Sequence, residues 1–186
     1  MAQGIILAGG YSRRIGQNKM TLSYLGAPLI SHCIHTMTPF VSQIFVITGH
    51  YHEELFPILR GLPKVTVLYN ENYHQGMFTS VLLGAKHVTE DFFIIPGDYP
   101  KVSKATYEIL LKSDEDIAVP VYQGRKGHPI FIKKTLIEAL SNEPIDSNLK
   151  VFRDRYRYKA LNVEDAGILL DIDTLADLDQ LNLIKE

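Results

Sequence analysis

The sequence predicts an α/β fold of three α/β/α layers, Rossmann-like, with a mostly parallel central sheet. Three observations carry this. Short, near-continuous apolar runs recur along the chain, segments with helical spacing separate them, and a glycine-rich polar loop leaves the first run. Strands apolar at every position are buried on both faces, and strands alternating with helices build a parallel sheet that the helices cover.

In chain order, 4–8 (GIILA) reads as a buried strand, followed by the glycine-rich loop to about Lys19. Leu29, Ile30, Cys33, Ile34 and Met37 recur at helical spacing, which predicts a helix over 29–40. Strands follow at 43–48 (QIFVIT) and 64–69 (KVTVLY), with a short helix over 52–59 between them. A helix over 77–88 precedes a strand at 91–96 (DFFIIP). A helix over 103–112, opened by Ser103 as its cap, precedes a strand at 116–121 (DIAVPV). The last third is less regular. It reads as a strand at 129–132, helices over 134–140 and 147–155, a strand at 158–163 and a closing helix over 174–183.

A chain of 186 residues can bury a sizeable core, and no linker or composition shift divides it, so one domain over 1–186 is expected. The formal charge of −2 and the lack of a basic block exclude nucleic acid or an acidic membrane as the main partner. Cys33 is the only cysteine, so no intrachain disulfide can form, and its apolar helical setting makes it a core residue. Met1-Ala2-Gln3 runs straight into the first strand, leaving no room for a signal peptide, and no run reaches the length of a membrane span. A cytoplasmic protein is the expectation.

In α/β sheets ligands bind at the carboxyl ends of strands, where Gly9-Gly10-Tyr11-Ser12-Arg13-Arg14-Ile15-Gly16-Gln17-Asn18-Lys19 begins. Glycines let backbone N–H groups approach phosphate oxygens, and arginine and lysine supply charge for a triphosphate. The spacing is neither GxxxxGK[ST] nor GxGxxG, since five residues separate Gly10 from Gly16 and Gln17 follows.

The stretch LAGGYSRRIGQNK closely resembles the LA(A/G)GxSxRMGxxK signature of the MobA-like nucleotidyltransferases. Within that family it looks most like the MocA branch, the molybdenum cofactor cytidylyltransferases, over nearly the whole chain. The resemblance implies the nucleotidyltransferase form of the fold, with an NTP-binding half over 1–100 and an acceptor-binding, metal-completing half over 101–186. It implies that Leu7, Ala8, Gly9, Gly10 and Ser12 hold the nucleotide, and that Arg14 and Lys19 bind the triphosphate and act in catalysis. Ile15 replaces the usual methionine at nearly constant volume.

Asp98, in Pro96-Gly97-Asp98-Tyr99-Pro100 after the fourth strand, would point into the crevice, although a plain turn aspartate also fits. It resembles the family's GDxP element, which makes Asp98 a metal ligand and a catalytic residue, with Tyr99 where glutamine is common. Asp171-Ile172-Asp173-Thr174 resembles DIDTPEDL. Thr174 and Asp177 fit a capping box, whereas Asp171 and Asp173 alternate on an extended segment and share one face. By the match, Asp173 is the second metal ligand, with Asp171 nearby on the acceptor side.

Asn70 and Gly76-Met77-Phe78-Thr79-Ser80 resemble the family's asparagine and GMxxS element, placing Asn70, Gly76 and Ser80 at the nucleotide. The alternative there is a plain helix start with Met77 and Leu82 in the core. Gly124-Arg125-Lys126-Gly127-His128-Pro129 resembles GxRGHP, which gives Gly127 and His128 an acceptor-side role, and the basic pair suits a phosphorylated acceptor. The family's GDxGAR is reduced to Asp146, with Lys150 standing in for arginine, which leaves the acceptor's identity open.

Together these imply a Mg2+-dependent nucleotidyltransferase that moves a nucleoside monophosphate from an NTP to a phosphorylated small molecule. The preferred acceptor is molybdopterin carrying molybdenum, with a molybdoenzyme or its chaperone as an onward partner. CTP is favoured by the xSxR serine, GHP and DIDT, while LAGG is the reading of the GTP-using branch. A sugar- or alcohol-phosphate nucleotidyltransferase, a nucleotide-sugar glycosyltransferase using Asp171 and Asp173, and a non-catalytic binding protein are the alternatives.

Overall fold

The computed structural model describes residues 1–183. Its strands are β1 (Ala2–Ala8), β2 (Ser23–Tyr24), β3 (Ala27–Pro28), β4 (Val41–Thr48), β5 (Val65–Tyr69), β6 (Phe92–Pro96), β7 (Ile117–Tyr122), β8 (Arg125–Lys126), β9 (Ile130–Ile132) and β10 (Tyr158–Asn162). Its α-helices are α1 (Leu29–Met37), α2 (His52–Leu59), α3 (Met77–Ala85), α4 (Lys104–Leu111), α5 (Ile137–Ser141), α6 (Leu149–Arg153) and α7 (Leu175–Leu183).

The main sheet runs β10-β7-β9-β6-β1-β4-β5, with β8 paired to β7. β1 pairs in parallel with both β4 and β6, β4 with β5, and β7 with β10. β9 lies antiparallel between β6 and β7. Alternate residues of the central strands feed opposite faces. Ile6, Ile44, Val46, Phe93 and Ile95 meet α1, α2 and α4, while Ile5, Leu7, Phe45, Ile47 and Ile94 meet α3, α5 and α6. Burial on both faces explains why these strands are apolar throughout, and it yields the expected three layers. Cys33 is buried on the first face. No helix among the described residues is long and apolar enough to cross a membrane.

Element ends differ from the sequence expectation for local reasons. α1 stops at Met37 because Pro39 enters the next turn, which continues as a 3-10 turn over Thr38–Phe40. α3 stops at Ala85, where His87 N–H bonds back to the Gly84 carbonyl at 3.0 Å and tightens the last turn. The helix expected over 147–155 is the shorter α6, capped by the Asn148 side chain. The 134–140 segment divides into a 3-10 turn and α5. At α7 the capping box forms as expected: Asp177 N–H donates to Thr174 Oγ1 at 3.2 Å, and Thr174 N–H to Asp177 Oδ2 at 2.7 Å.

Ser103 occupies the N-cap position of α4, but its side chain makes no capping bond. Asp165 serves that end instead. Its Oδ2 accepts from Ser103 N–H at 2.8 Å and Thr106 Oγ1 at 2.6 Å, and its Oδ1 from Gly167 N–H at 2.9 Å. Asp165→Ala would leave three donors without their acceptor in a buried place, so it should lower stability by about 3 kcal/mol in urea unfolding. An unchanged midpoint would show that Asp165 does not hold α4.

Candidate active site

The loop after β1 is shaped by Ser12, which adopts φ +48°, an unusual conformation for a residue with a side chain. Its carbonyl accepts from Ile15 and Gly16 N–H at 3.0 Å each, and its hydroxyl accepts from Lys19 N–H at 3.3 Å. Buried Asn18 caps the following 3-10 turn by accepting from Met20 N–H at 3.2 Å. Asparagine before a short helical turn is a cap signal, and the role of Asn18 could have been found from it. These bonds set Lys19 at the start of the turn, facing the carboxyl end of β6.

Asp98 stands just beyond β6 and is 7% exposed. Ile172 N–H donates to the Asp98 carbonyl at 3.1 Å and Ile172 is fully buried, so Asp171 and Asp173 flank a fixed point beside it. Asp98, Asp171 and Asp173 each offer an oxygen within 4.8 Å of the others. Lys19 Nζ is bonded to Asp98 Oδ2, donates to the Ile172 carbonyl at 3.1 Å, and reaches Asp173 Oδ1 at 3.4 Å. Arg14 pairs with Asp173 Oδ2 at the more open side. Five of the predicted residues, Arg14 and Lys19 from the first loop, Asp98 from mid-chain and Asp171 and Asp173 from near its end, therefore meet at one point.

Burial pushes the Asp98 carboxyl above its ordinary range; the Lys19 ammonium pulls it back down, and Asp171 adds a smaller upward push. Asp98 Oδ1 is buried without a hydrogen-bond partner. An orphaned carboxylate oxygen beside two further carboxylates suits a hard divalent cation, which takes oxygen ligands.

Two clefts meet at this acidic group. The first, of about 450 Å³, is lined by Leu7, Gly9, Gly10, Ser12, Arg14, Lys19, Gly76 and Ser80 together with Asp98 and Asp173. A Cβ placed on Gly10 would meet nothing within 4 Å, so the open space there is not needed for packing. Ala8 and Asn70, also expected at the nucleotide, do not line this cleft. Ala8 is buried in the sheet, and buried Asn70 sits behind the wall. Its amide donates to Thr79 Oγ1 at 2.7 Å and Ser80 Oγ at 2.9 Å, while its Oδ1 accepts from Asn72 N–H at 3.0 Å. Asn70 thus positions Ser80. Because Ser80 Oγ accepts from Asn70, its own hydrogen is directed elsewhere.

Met77 is 64% exposed and lines the cleft, in contrast to the alternative that put it in the core. Gly76, with φ +113°, turns the chain so that α3 begins at the cleft. An aromatic wall went unforeseen: Tyr73 and Tyr11 stand 5.5 Å apart by ring centroids, and His50 lies 4.7 Å from Tyr11.

The second cleft, of about 410 Å³, is lined by all four predicted acceptor residues, Tyr99, Gly127, His128 and Asp171. Tyr99 and His128 pack edge to face at 4.9 Å. Burial and the neighbouring Asp171, Asp98 and Asp173 push the Tyr99 hydroxyl up, keeping it protonated. His128 is half-buried overall, but its Nδ1 is sealed from solvent without a partner. Burial lowers its pKa to about 4, so the ring is neutral near pH 7. At Gly127 a Cβ would sit 2.2 Å from the Ile168 carbonyl oxygen, so glycine is required there by close backbone approach.

Residues 4–160 match the family model described as "MobA-like NTP transferase domain". The chain is 32% identical over 178 residues to a "Molybdenum cofactor cytidylyltransferase" of Escherichia coli (strain K12), covering 93% of this chain and 91% of the relative. It is 31% identical over 129 residues to a "Probable molybdenum cofactor guanylyltransferase" of Bacillus anthracis (strain CDC 684 / NRRL 3495), covering 66% of this chain and 63% of the relative. The crystal structure of Rv0371c from Mycobacterium tuberculosis H37Rv superposes with a TM-score of 0.84 over 99% of each chain at 21% identity. The same protein in complex with manganese gives 0.78 over 98% of this chain and 97% of that one at 20% identity. At this identity the likeness establishes the fold.

His128 generates a pH prediction. Its folded pKa lies below the unfolded value of 6.5, so its contribution is full above pH 6.5 and is lost as pH falls toward 4. The loss between pH 7 and pH 4 should be about 3 kcal/mol. Urea unfolding at both pH values should show a drop smaller by about that amount in His128→Gln. An equal drop in both proteins would mean that the ring is charged or solvated in the fold.

Proposed function

The chain belongs to the MobA-like NTP transferase family and is a nucleotidyltransferase, and from that premise we propose that it moves CMP from CTP onto a phosphorylated acceptor with the help of Mg2+. The acceptor favoured is the molybdopterin form of molybdenum cofactor, passed on to a molybdoenzyme or its chaperone. The convergence of Lys19 with Asp98 and Asp173, where the two clefts meet, carries this reading.

In this reading the triphosphate lies along the loop after β1, with backbone N–H groups around Gly9 and Gly10 facing its oxygens and Arg14 and Lys19 supplying charge. An oxygen of the acceptor phosphate, presented from the second cleft, forms a bond to the α-phosphorus. The bond from that phosphorus to the bridging oxygen breaks in line, and pyrophosphate leaves. The nucleophile is already ionised, so no general base is needed, and His128, whose pKa burial lowers to about 4, would be a weak one. Asp98 and Asp173 would hold the divalent ion, with Asp171 in reach; when bound, it neutralises charge on the phosphate oxygens. Lys19 has three N–H donors and three acceptors, so it exchanges one of them for a phosphate oxygen during turnover.

CTP is favoured because the cytidylyltransferase relative matches over 93% of the chain, against 66% for the guanylyltransferase. GTP remains the second reading, on the ground that 7–10 reads LAGG. Pyrophosphate release measured with each of four NTPs, Mg2+ and molybdenum-loaded molybdopterin should be fastest with CTP. Release fastest with GTP would reverse the base assignment, and none with any NTP would overturn the acceptor. Lys19→Ala and Asp98→Ala should each slow release on the order of a hundredfold or more. Wild-type rates in either variant would remove that residue from the mechanism.

A further inference from the structure

Four cationic side chains line the second cleft, Arg125 and Lys126 from β8 and Lys150 and Arg153 from α6, against one carboxylate, Asp171. Asp171 belongs to the acidic group that both clefts share, so the cleft is acidic where it meets the first and basic along β8 and α6.

The basic side has an organised structure. Arg153 is only 8% exposed; its Nε donates to Asp154 Oδ1 at 2.8 Å, and its guanidinium carbon lies 5.0 Å from the centroid of the Tyr158 ring. Lys126 Nζ lies 4.9 Å from the same centroid and donates to the Tyr158 hydroxyl at 2.8 Å. One ring on β10 therefore fixes two cations. Lys150 is three residues before Arg153 on α6, which puts both on one helix face. Among the described residues, Arg153 is the only one of the four in an ion pair. Arg125, Lys126 and Lys150 are gathered without an ion-pair partner, so they repel one another, and a side lined mostly by one sign concentrates the field on an anion. Arginine and lysine are the side chains that grip phosphate oxygens.

The geometry points to a subsite for a second phosphate-like oxyanion on the acceptor, separate from the phosphate that receives the nucleotide and held by Lys126, Lys150 and Arg153. This rests on the nucleotidyl-transfer reading for the orientation of the acceptor, with its reacting phosphate toward Asp98 and Asp173. The acceptor class is then bis-anionic, and in the molybdenum-loaded molybdopterin favoured above, with its one phosphate, the oxygens on molybdenum would be the second oxyanion.

The test uses fructose 1,6-bisphosphate and fructose 6-phosphate as probes, titrated by calorimetry into the full chain and into the double variant Lys126→Gln/Lys150→Gln. Both lysines are exposed, so the variant should melt as the wild type does. Each titration is run with and without saturating CTP and Mg2+. The wild type should bind the bisphosphate at least about tenfold more tightly than the monophosphate, and the variant should lose most of that preference. Equal affinity for both probes in the wild type, or an undiminished preference in the variant, would overturn the subsite. The comparison of variant with wild type holds whether or not CTP binds. Failure of CTP to bind counts against the proposed function alone.

Discussion

Three carboxylates with oxygens within 4.8 Å of one another repel, and the rest of the site is arranged around that repulsion. Asp98 comes from the end of β6, while Asp171 and Asp173 arrive from a segment more than seventy residues later, pinned by buried Ile172 and its bond to the Asp98 carbonyl. Lys19, supplied from the loop after β1, answers the crowding. Its side chain and that of Asp98 are only 15% and 10% exposed, so each partner has lost most of its water. A pair so enclosed adds little net stability, yet removing one partner is costly because the other is left charged and buried. In the proposed function it would keep an acidic pocket ready for a divalent ion and hold an ammonium beside the phosphate charge to be neutralised.

The two clefts follow from the sheet. β1 ends in the glycine loop, and β6 ends at Asp98 beside it, so the first cleft forms where adjacent parallel strands finish together. The second cleft opens on the other side of Asp98, among β8, α6 and the Ile168 turn that Gly127 approaches. One cleft carries the glycine loop and an aromatic wall; the other is strongly basic. The acidic group lies where they join, which is the placement that the proposed transfer between two bound phosphates needs.

Much of this was legible in the sequence because the signals are local. Apolar runs gave the buried strands, glycines and basic residues at a strand exit marked the loop, and Thr174 with Asp177 marked the start of α7. What escaped depends on partners distant in the chain. The antiparallel direction of β9 is set by pairing with β6 and β7, which no pattern within 130–132 encodes. Ser103 looked like a cap, but Asp165, 62 residues away, takes its N–H. Asn70 read as a nucleotide contact, whereas its amide is spent holding Thr79 and Ser80 behind the wall. The burial that keeps His128 neutral and the stacking of two cations on Tyr158 likewise exist only after the chain has folded.

The proposed transfer depends on Asp98 and Asp173 sharing one cation with a triphosphate held by the β1 loop. A crystal structure with manganese and CTP, with the ion located by its anomalous scattering, tests this most directly. The expected result is one manganese peak bonded to a carboxylate oxygen of both Asp98 and Asp173, with Lys19 Nζ moved onto a phosphate oxygen. A peak that touches neither carboxylate, or a nucleotide bound away from the loop, would contradict it.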